Sequence, residues 1–244
     1  MCYHKSSNFK SIELNEYYDT YFPEQIASEW DGAKHFHDNG FDHNLSPVLT
    51  NEGIGFFRWG LVPHFAKSVE DANILRVKNL NCRSEEMYEK NTWKPSLESH
   101  QRCLIPLTGF FDHHWNDAKG KDKIPYYVKV KGQNIFSTAG LYVTWNIPGT
   151  DDQLYSYTIL TTEANPLMSY IHNSKKRMPL IVPREYEKDW LNPNLSKEDV
   201  LALCQPFDEG KMEAYTISKR ITSKESNVAE VLQQHDYHST GSLF

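Results

Sequence analysis

The pattern that most constrains the fold is a cluster of short strand-like segments in the middle of the chain, joined by tight turns. These segments are rich in β-branched and aromatic residues and end at turn residues. They lie at 46–50, 53–62, 102–112, 125–131, 134–145, 153–162, 177–182 and 213–218. Parallel strands need a long, usually helical crossover, whereas antiparallel strands need only a turn. The pattern therefore predicts an α+β fold with a mainly antiparallel sheet, and not a doubly wound one.

Local signals predict individual elements within this fold. The strands at 125–131 and 134–145 flank a turn at Gly132 and are predicted to form a hairpin. A helix is predicted over 163–171, with Thr162 as its N-cap. Apolar spacing and capping residues predict further helical segments, at 9–30 (in one or two pieces), 84–90, 184–191 and 196–204.

Length, composition and charge limit the class of protein. The 244 residues contain no run of 18 apolar residues and no apolar N-terminal stretch, so we expect neither a membrane span nor a secretory signal, and a cytoplasmic location. No linker divides the chain, so we expect one domain over residues 1–234 and a flexible tail over 235–244. The net charge of −6 argues against a broad nucleic-acid-coating surface. It allows a local basic groove, because a few clustered cations suffice to hold phosphates.

Cys2 is the most unusual placement of a reactive residue. An initiator methionine before a small residue is normally removed, which would give Cys2 an α-amine and a thiol on adjacent carbons. The α-amine has a pKa near ~7.7–8.0, so part of it is neutral and nucleophilic at neutral pH. With an aldehyde, the amine forms a Schiff base and the thiol then closes a five-membered thiazolidine. The alternative interpretation is an accidental cysteine in a frayed terminus.

Two further segments carry groups that this chemistry would use. Asn81 and Arg83 are predicted between a strand and a helix, where an amide holds a nucleophile and a guanidinium grips a phosphate. A helix-capping loop is the alternative for that segment. Asp112 ends an apolar strand, where partial desolvation raises the pKa of a carboxyl and suits it to acid–base catalysis. The alternative there is a turn aspartate.

A basic cluster follows the helix predicted at 163–171. His172 lies at the end of that helix, and histidine is the natural proton carrier near pH 7. Lys175, Lys176 and Arg177 follow directly. The alternative interpretation is that these cations only complement the negative end of the helix dipole.

Taken in order, these segments resemble the SOS-response-associated peptidase (SRAP) family. That family begins Met-Cys and then carries the patterns W-G-[LIY]-[IVA]-P, N-[AC]-R-x-E, G-[FW]-[FY]-E-W and I-H-x-R-M-P. The corresponding segments here are Met1-Cys2, WGLVP at 59–63, NCRSE at 81–85, GFFD at 109–112, and Ile171-His172 through Arg177-Met178-Pro179. Each motif is weak alone, but five in order over residues 2 to about 232 identify the chain as a member of the family.

The chain departs from the family pattern at three places. The family opening Cys-Gly-Arg is Cys2-Tyr3-His4 here, so a histidine replaces the arginine expected to meet phosphate. Asp112 stands where the family has glutamate, and its shorter side chain displaces the acid by more than ~1 Å, a shift large enough to slow proton transfer. Two extra residues separate His172 from the Arg-Met-Pro run, which lengthens the basic loop. These departures indicate a divergent branch.

The resemblance implies a compact α+β domain with a mainly antiparallel, barrel-like sheet, flanking helices and a positively charged groove. It implies that the protein recognises abasic sites in single-stranded DNA. The ring-opened sugar aldehyde would be captured as a thiazolidine crosslink on Cys2 after Met1 is removed, which shields the lesion. It implies an enzyme that needs no metal or organic cofactor and no obligate protein partner, acts away from membranes, and lies in the cytoplasm, at the nucleoid after DNA damage.

The resemblance also implies a role for each matching residue. Cys2 is the nucleophile, Asn81 positions it, and Asp112 and His172 move protons. The residues implied to contact nucleic acid are Trp59, Pro63, His4, Arg83, Lys175, Lys176 and Arg177.

Three other functions remain open at this point. A cysteine peptidase or amidohydrolase would use Cys2 with His172 as its base. A non-catalytic single-strand-binding module would need only the groove. The third is a metal site, because histidine-rich loops bind metals. A solvated loop is the simpler interpretation. The histidines concerned are His35, His37, His43, His113 and His114.

Overall fold

The computed structural model describes residues 2–237. The strands are β1 (His4–Ser6), β2 (Asp38–Asn39), β3 (Leu45–Thr50), β4 (Gly53–Trp59), β5 (Asn81–Arg83), β6 (Arg102–Leu107), β7 (Gly109–Trp115), β8 (Lys123–Val130), β9 (Phe136–Asn146), β10 (Gln153–Glu163), β11 (Arg177–Pro179), β12 (Ile181–Val182) and β13 (Met212–Thr216). The helices are α1 (Ser11–Tyr18), α2 (Glu24–Gly32), α3 (Val69–Lys78), α4 (Lys94–Glu98), α5 (Pro166–Ile171), α6 (Glu187–Leu191) and α7 (Lys197–Ala202). Short 3-10 turns connect several of these elements.

Five strands close into a barrel in the order β10-β4-β3-β6-β9, and β9 pairs back onto β10. The long strands β9 and β10 form its most extended antiparallel pair, from Gln153 opposite Asn146 to Ile159 opposite Gly140. Among the described pairings, only β10 with β4 and β10 with β5 are parallel. The predicted α+β fold with a mainly antiparallel, barrel-like sheet is confirmed.

A second, open sheet lies against this barrel, in the order β13-β8-β7-β1-β2. The main core fills the space between the two sheets. Trp59 and Tyr157 enter it from the barrel, and Phe110 and Val128 enter it from the open sheet. All four are fully buried. Because β1 pairs with β7 on one side and with β2 on the other, its residues are held inside the domain.

The helices cover the remaining apolar faces of the barrel. Leu14 of α1 and Trp30 of α2 pack with Ile54 of β4 in one cluster. On another side, Trp190 of α6 is fully buried and donates from Nε1 to the carbonyl of Cys103, at 2.9 Å. The apolar residues of these helices thus pack against the barrel. The described helices include none long and apolar enough to cross a membrane.

The predicted hairpin of residues 125–131 and 134–145 is wrong. β8 pairs with β7 and β13, whereas β9 pairs with β6, β10 and β12. Gly132 does make a turn, with φ +70°, but the chain crosses there from the open sheet to the barrel. Alternating hydrophobicity predicts a strand without saying which partner occupies its edges, and here distant strands occupy them.

The helix predicted over 163–171 begins later than expected. Asn165 is its N-cap and accepts a hydrogen bond from the backbone N–H of Met168, at 2.8 Å. Thr162 is still in β10, where it lies opposite Met178 of β11. Both Thr162 and Asn165 are good caps by residue type, and the pairing of β10 with β11 decides between them.

Two other segments differ from their predictions. The helix predicted at 84–90 is only a 3-10 turn, Ser84–Glu86. The single strand predicted at 102–112 is two strands that meet at Thr108, where the chain crosses from the barrel to the open sheet. The crossing is tight, because a Cβ on Gly109 would lie 2.2 Å from the Tyr127 ring.

The end of the described chain folds back onto the open sheet. The backbone N–H of His235 donates to the carbonyl of Thr216 at 2.8 Å, and the hydroxyl of Tyr237 donates to the carbonyl of Ile217 at 2.8 Å. Residues 238–244 of the predicted tail lie outside the described residues, so the tail and the boundary at 234 stay predictions.

A buried ion pair fixes β1 in the sheet. The side chain of Lys5 is 1% exposed, and its Nζ lies 2.9 Å from Asp38 Oδ2, 3.0 Å from Ser46 Oγ and 3.2 Å from Ser7 Oγ. Every proton of the ammonium therefore has an oxygen partner. Burying a lysine is costly unless it is paired in this way.

We expect Asp38→Ala to destabilise the protein by roughly 3 kcal/mol, because it leaves the Lys5 charge buried without its counter-charge. The free energy of unfolding from a urea titration at pH 7 measures the loss. The double variant Lys5→Met/Asp38→Leu is expected to recover most of it. If Asp38→Ala were as stable as the wild type, this account of how β1 is held would be contradicted.

Candidate active site

Cys2 lies two residues before the start of β1 and is buried, with 1% of its surface exposed. Its Sγ is 3.6 Å from the carbonyl oxygen of His4. Asn81, at the start of β5, donates from Nδ2 to the carbonyl of Cys2 at 2.8 Å. β5 is held beside β10 by parallel pairing, so the barrel places the Asn81 amide against the beginning of the chain.

Asp112 lies on β7, next in the sheet to β1. The pairing of β1 with β7 ends at His4 opposite Phe111, so Asp112 directly follows the last paired residue of β7. The carboxyl group is buried, and its Oδ1 accepts a hydrogen bond from the backbone N–H of His113 at 2.8 Å. Burial raises the pKa of Asp112 above its ordinary value, while nearby His172 opposes that shift.

His172 is the C-cap residue of α5 and is buried next to Asp112. Its Nδ1 lies 2.9 Å from the carbonyl oxygen of Arg177 and 3.3 Å from Asp112 Oδ2. A carbonyl oxygen only accepts, so Nδ1 carries the hydrogen and Nε2 holds the lone pair of the neutral ring. Burial lowers the pKa of His172, and the Asp112 carboxylate opposes this, so the ring is a neutral base at neutral pH.

Two contacts clamp the loop of His172 onto the strand of Asp112. The Asn173 side chain accepts from the backbone N–H of Trp115 at 3.0 Å and donates to its carbonyl at 2.9 Å. Beside it, the His114 ring stacks on Tyr170 of α5, with ring centroids 4.7 Å apart. These contacts fix the distance between the two acid–base groups, although 60 positions separate them in the sequence.

The thiol of Cys2 is protonated at neutral pH. Burial, supported by the negative charge of Asp112, raises its pKa to about 12. This is the opposite of the low-pKa thiolate found in cysteine-dependent hydrolases. A thiol in this state reacts only if a neighbouring base accepts its proton, and Asp112 and His172 are the neighbouring groups able to do so.

A cleft of about 670 Å³ opens beside Asp112 and His172. Its lining includes four lysines, namely Lys121, Lys123, Lys175 and Lys219, and Asp112 is the one acidic residue. Tyr3 and His4 line it next to Cys2. A chain with a net charge of −6 thus concentrates positive charge at this opening. Such a cleft attracts polyanions.

Two residues that line this cleft carry buried polar atoms without a hydrogen-bond partner. Within residues 2–237 such atoms include Asp112 Oδ2 and His113 Nε2, and Asn81 Oδ1 beside Cys2. Native proteins leave few such atoms, and those that remain often serve a function. The atoms of Asp112 and His113 thus offer polar contacts to a molecule in the cleft.

The structure brings six of the predicted site residues to one region. Cys2, Asn81, Asp112 and His172 converge through the contacts above, and His4 and Lys175 line the cleft. Arg83 is exposed, at 53% of its side chain, and follows Asn81 by two positions on β5. Lys176 is exposed in the loop after His172.

Three residues implied to contact nucleic acid are placed elsewhere, which corrects the interface predicted for them. Trp59 is fully buried and donates from Nε1 to the carbonyl of Leu80 at 2.8 Å, and Pro63 is also buried. Arg177 is buried in a two-point ion pair with Glu85, at 2.6 and 2.9 Å. Their burial leaves these side chains little surface for contact with a strand, and Trp59 and Arg177 are held by the contacts above.

Sequence reasoning missed several residues of the cleft. Lys121 lies in the polar turn before β8, and Lys123 begins that strand. A local excess of lysine there was the one available signal. Lys219 comes from a distant turn, where its Nζ pairs with Asp122 Oδ1 at 3.1 Å. Nothing in the local sequence of Lys219 distinguishes it from other surface lysines.

The histidine-rich stretch does not converge on a metal centre. His35 stacks on Trp30, His43 points to the carbonyl of Trp59 at 2.6 Å, and His37 contacts His4. Over the described part of the chain, no group of three or more His, Cys, Asp or Glu side chains is arranged to hold a metal ion.

Comparison with known proteins gives a consistent set of similarities. The sequence model of the family described as SOS response associated peptidase (SRAP) matches residues 1–224. The chain is 40% identical over 203 residues to Abasic site processing protein YoqW of Bacillus subtilis, covering 79% of this chain and 86% of that protein. It is 29% identical over 198 residues to Abasic site processing protein HMCES of Xenopus tropicalis, covering 73% of this chain and 56% of that protein.

Solved structures give the same result for the fold. A crystal structure of a protein from Bacteroides thetaiotaomicron matches with a TM-score of 0.89 and 34% identity, covering 96% of this chain and all of that one. A protein from Bordetella bronchiseptica matches with a TM-score of 0.74 at 19% identity, a likeness of fold alone.

Proposed function

The chain belongs to the SOS response associated peptidase (SRAP) family, and from this premise we propose that it captures abasic sites in single-stranded DNA. The capture is covalent: after Met1 is removed, Cys2 closes a thiazolidine on the ring-opened sugar aldehyde and thereby shields the lesion. Relatives named abasic site processing proteins, one of them 40% identical, support the class of substrate.

The observation that carries this proposal is the convergence of four groups next to a lysine-lined cleft. Asn81 holds the carbonyl of Cys2, and His172 lies beside Asp112. Asp112, His172 and Tyr3, the residue next to Cys2, line the cleft together with the lysines. An amine–thiol pair requires an aldehyde, proton-transfer groups and a way to hold the molecule that carries the aldehyde. The site supplies all three.

The chemistry balances without a cofactor. The neutral α-amine of Cys2 adds to the sugar aldehyde, and the resulting carbinolamine takes up one proton and loses water to give an iminium ion. The thiol sulfur then adds to the same carbon, the electron pair of the C=N bond returns to nitrogen, and the thiol proton leaves. Starting from the α-ammonium form, one water and one proton are released for each thiazolidine formed.

Asp112 and His172 are placed to move these protons. The raised pKa of Asp112 makes a protonated carboxyl accessible as an acid, and the neutral His172 ring is accessible as a base. Asn81 positions Cys2 through its carbonyl. Because Nδ1 of His172 already carries a hydrogen, Nε2 is the atom that would accept a proton.

The state of the thiol favours aldehyde capture over peptide hydrolysis. A cysteine peptidase needs a thiolate beside an imidazolium, which lowers the thiol pKa. While Met1 precedes it, burial raises the pKa of Cys2 to about 12, and His172 Nδ1 faces a carbonyl and a carboxylate. Addition to an iminium carbon needs only a thiol and a base, since that carbon is already strongly electrophilic.

A denaturing gel tests the proposal. The purified protein is mixed with a single-stranded oligonucleotide carrying one abasic site, with an intact strand and an abasic duplex as parallel samples, after intact mass confirms loss of Met1. We expect a heat-stable covalent band with the abasic single strand alone. No band with a correctly processed protein would overturn the proposal, and an equal band with the duplex would overturn its single-strand part.

The lysines of the cleft are expected to set the affinity for the strand. Replacing Lys121, Lys123 and Lys219 together by glutamine removes about three phosphate contacts. The slope of log K against log salt is then expected to fall by about 2, since each contact on a single strand contributes about 0.7. Reversible binding of an intact oligonucleotide, followed by fluorescence anisotropy at several salt concentrations, measures the slope.

The triple variant Lys129→Gln/Lys131→Gln/Lys211→Gln is the matched control. These lysines lie on or beside β8 and β13, carry the same charge and do not line the cleft. An equal loss of slope in both triple variants would show that net charge, and not the cleft, governs binding.

A further inference from the structure

An unbroken hydrogen-bonded path leads from the cleft into the protein through two histidines. His4 lines the cleft, and its Nδ1 lies 2.9 Å from His37 Nε2. His37 Nδ1 lies in turn 2.7 Å from the hydroxyl oxygen of Ser226. Neither His37 nor Ser226 has a role in the chemistry described above.

The two histidines of this path line different openings of the molecule. His37 lines a second pocket, of about 200 Å³, together with Lys34, Asn44 and Asn227. His4 is on β1, and His37 directly precedes β2, the neighbouring edge strand. The pair of rings therefore connects the cleft on one side of the sheet edge with a separate opening on the other side.

The hydrogen-bond directions along the path are consistent. If His4 Nδ1 carries the hydrogen, it donates to His37 Nε2, and the hydrogen of His37 is then on Nδ1, which donates to the Ser226 oxygen. His4 Nε2 is left with a lone pair. A proton accepted at His4 Nε2 displaces the Nδ1 proton to His37 Nε2, which in turn releases its own Nδ1 proton toward Ser226.

We propose that His4 and His37 form a proton relay that carries the proton released by thiazolidine formation from the cleft to the second pocket. This rests on the proposed function. The reaction releases one proton per capture, and a bound strand covers the cleft and limits access of water to it. The relay gives that proton another exit. No co-reactant beyond water is needed, because the proton ends in solvent.

The groups around the pair keep both rings in the state that a relay needs. The pKa of His37 is lowered to about 4, first by burial and second by the neighbouring His4. Burial also lowers the pKa of His4. The negative charge of Asp38 opposes both shifts, and the negative charge of Asp42 opposes the shift of His4. The ring centroid of His113 lies 6.3 Å from that of His4. The positive charge of Lys5 lowers the pKa of His37 further. Neutral rings have both the lone pair and the hydrogen that stepwise transfer requires.

The test compares capture rates of wild type, His37→Phe and His35→Phe on the abasic single strand. His37→Phe keeps an aromatic ring against Phe111, which His37 contacts at 5.3 Å between centroids, but removes both nitrogens. His35→Phe is the control, because His35 lines the same second pocket but stacks on Trp30 at 3.5 Å and takes no part in the His4–His37–Ser226 path. We expect at least a tenfold lower rate at pH 7 for His37→Phe alone, with unchanged affinity for an intact strand.

Two readouts separate a relay from a structural role. Added imidazole buffer is expected to restore the capture rate of His37→Phe. In mixtures of H2O and D2O, the wild-type rate is expected to vary with deuterium fraction along a curve, and the rate of His37→Phe along a straight line. His37→Gln, which conserves a polar side chain, is expected to behave like His37→Phe and serves where the phenylalanine variant misfolds.

Unchanged rates in both His37 variants would overturn the relay. So would a slow variant that imidazole does not restore and that also binds the intact strand weakly. Failure of the wild-type protein to form any covalent band would instead overturn the proposed function itself, so the two failures are distinguishable.

Discussion

Replacing Cys2 by alanine is expected to abolish the covalent band with an abasic single strand completely. Alanine keeps the α-amine, which still forms a Schiff base, but provides no sulfur to close the ring, so the adduct hydrolyses on denaturation. Reversible binding to an intact strand is expected to be unchanged, because the lysines of the cleft are untouched. The measurements are the denaturing gel and fluorescence anisotropy on the same preparation.

The Schiff base itself provides a further check on Cys2→Ala. Reduction with borohydride is expected to trap the imine of the variant and restore a stable band, which assigns the amine and the thiol to separate steps. Cys82→Ala is the control, because Cys82 is equally buried and adjacent to Asn81 but has no role in capture. A stable band from Cys2→Ala without reductant would contradict the thiazolidine, and loss of strand binding would contradict the separation of binding from capture.

Replacing Asp112 by asparagine is expected to lower the rate of capture by about 10²–10⁴-fold, the usual contribution of a positioned acid–base group. Asparagine matches the shape of aspartate but neither gives nor accepts a proton. The same variant is expected to be more stable at pH 7, because it removes a buried carboxylate. Quenched-flow capture kinetics and thermal unfolding measure the two effects.

The pH dependence of that stability gain follows from the sign of the shift. Burial raises the pKa of Asp112 in the folded state above 3.8, so folding is disfavoured once the pH exceeds the unfolded value and the carboxyl begins to ionise. The advantage of Asp112→Asn is therefore expected to be greatest at pH 7 and to shrink as the pH falls toward 3.8. An advantage that grows at low pH would show that the carboxylate stabilises the fold.

Asp112→Glu separates the chemistry of the carboxyl from its position. The family pattern has glutamate here, so we expect this variant to capture at the wild-type rate or faster. A loss as large as that of Asp112→Asn would indicate that the contacts of Asp112 with His113 and His172 are adjusted to the shorter side chain.

The sequence by itself determined the class of fold and the choice of the groups that we propose to react. Alternating apolar residues and turn signals depend on positions only a few residues apart, so the α+β class and most strands were readable without a structure. Cys2, Asn81, Asp112 and His172 were found because their residue types and order form a pattern that the structure then brings together.

Only the tertiary structure decided which surfaces these elements share. β8 and β9 look like a hairpin in sequence, yet each pairs with other strands. Trp59 and Arg177 match the motifs but are buried, while Lys219 matches none and lines the cleft. His4 and His37 meet across 33 positions. Burial and such contacts depend on which distant segments pack together, and that depends on the folded chain as a whole, not on local propensity.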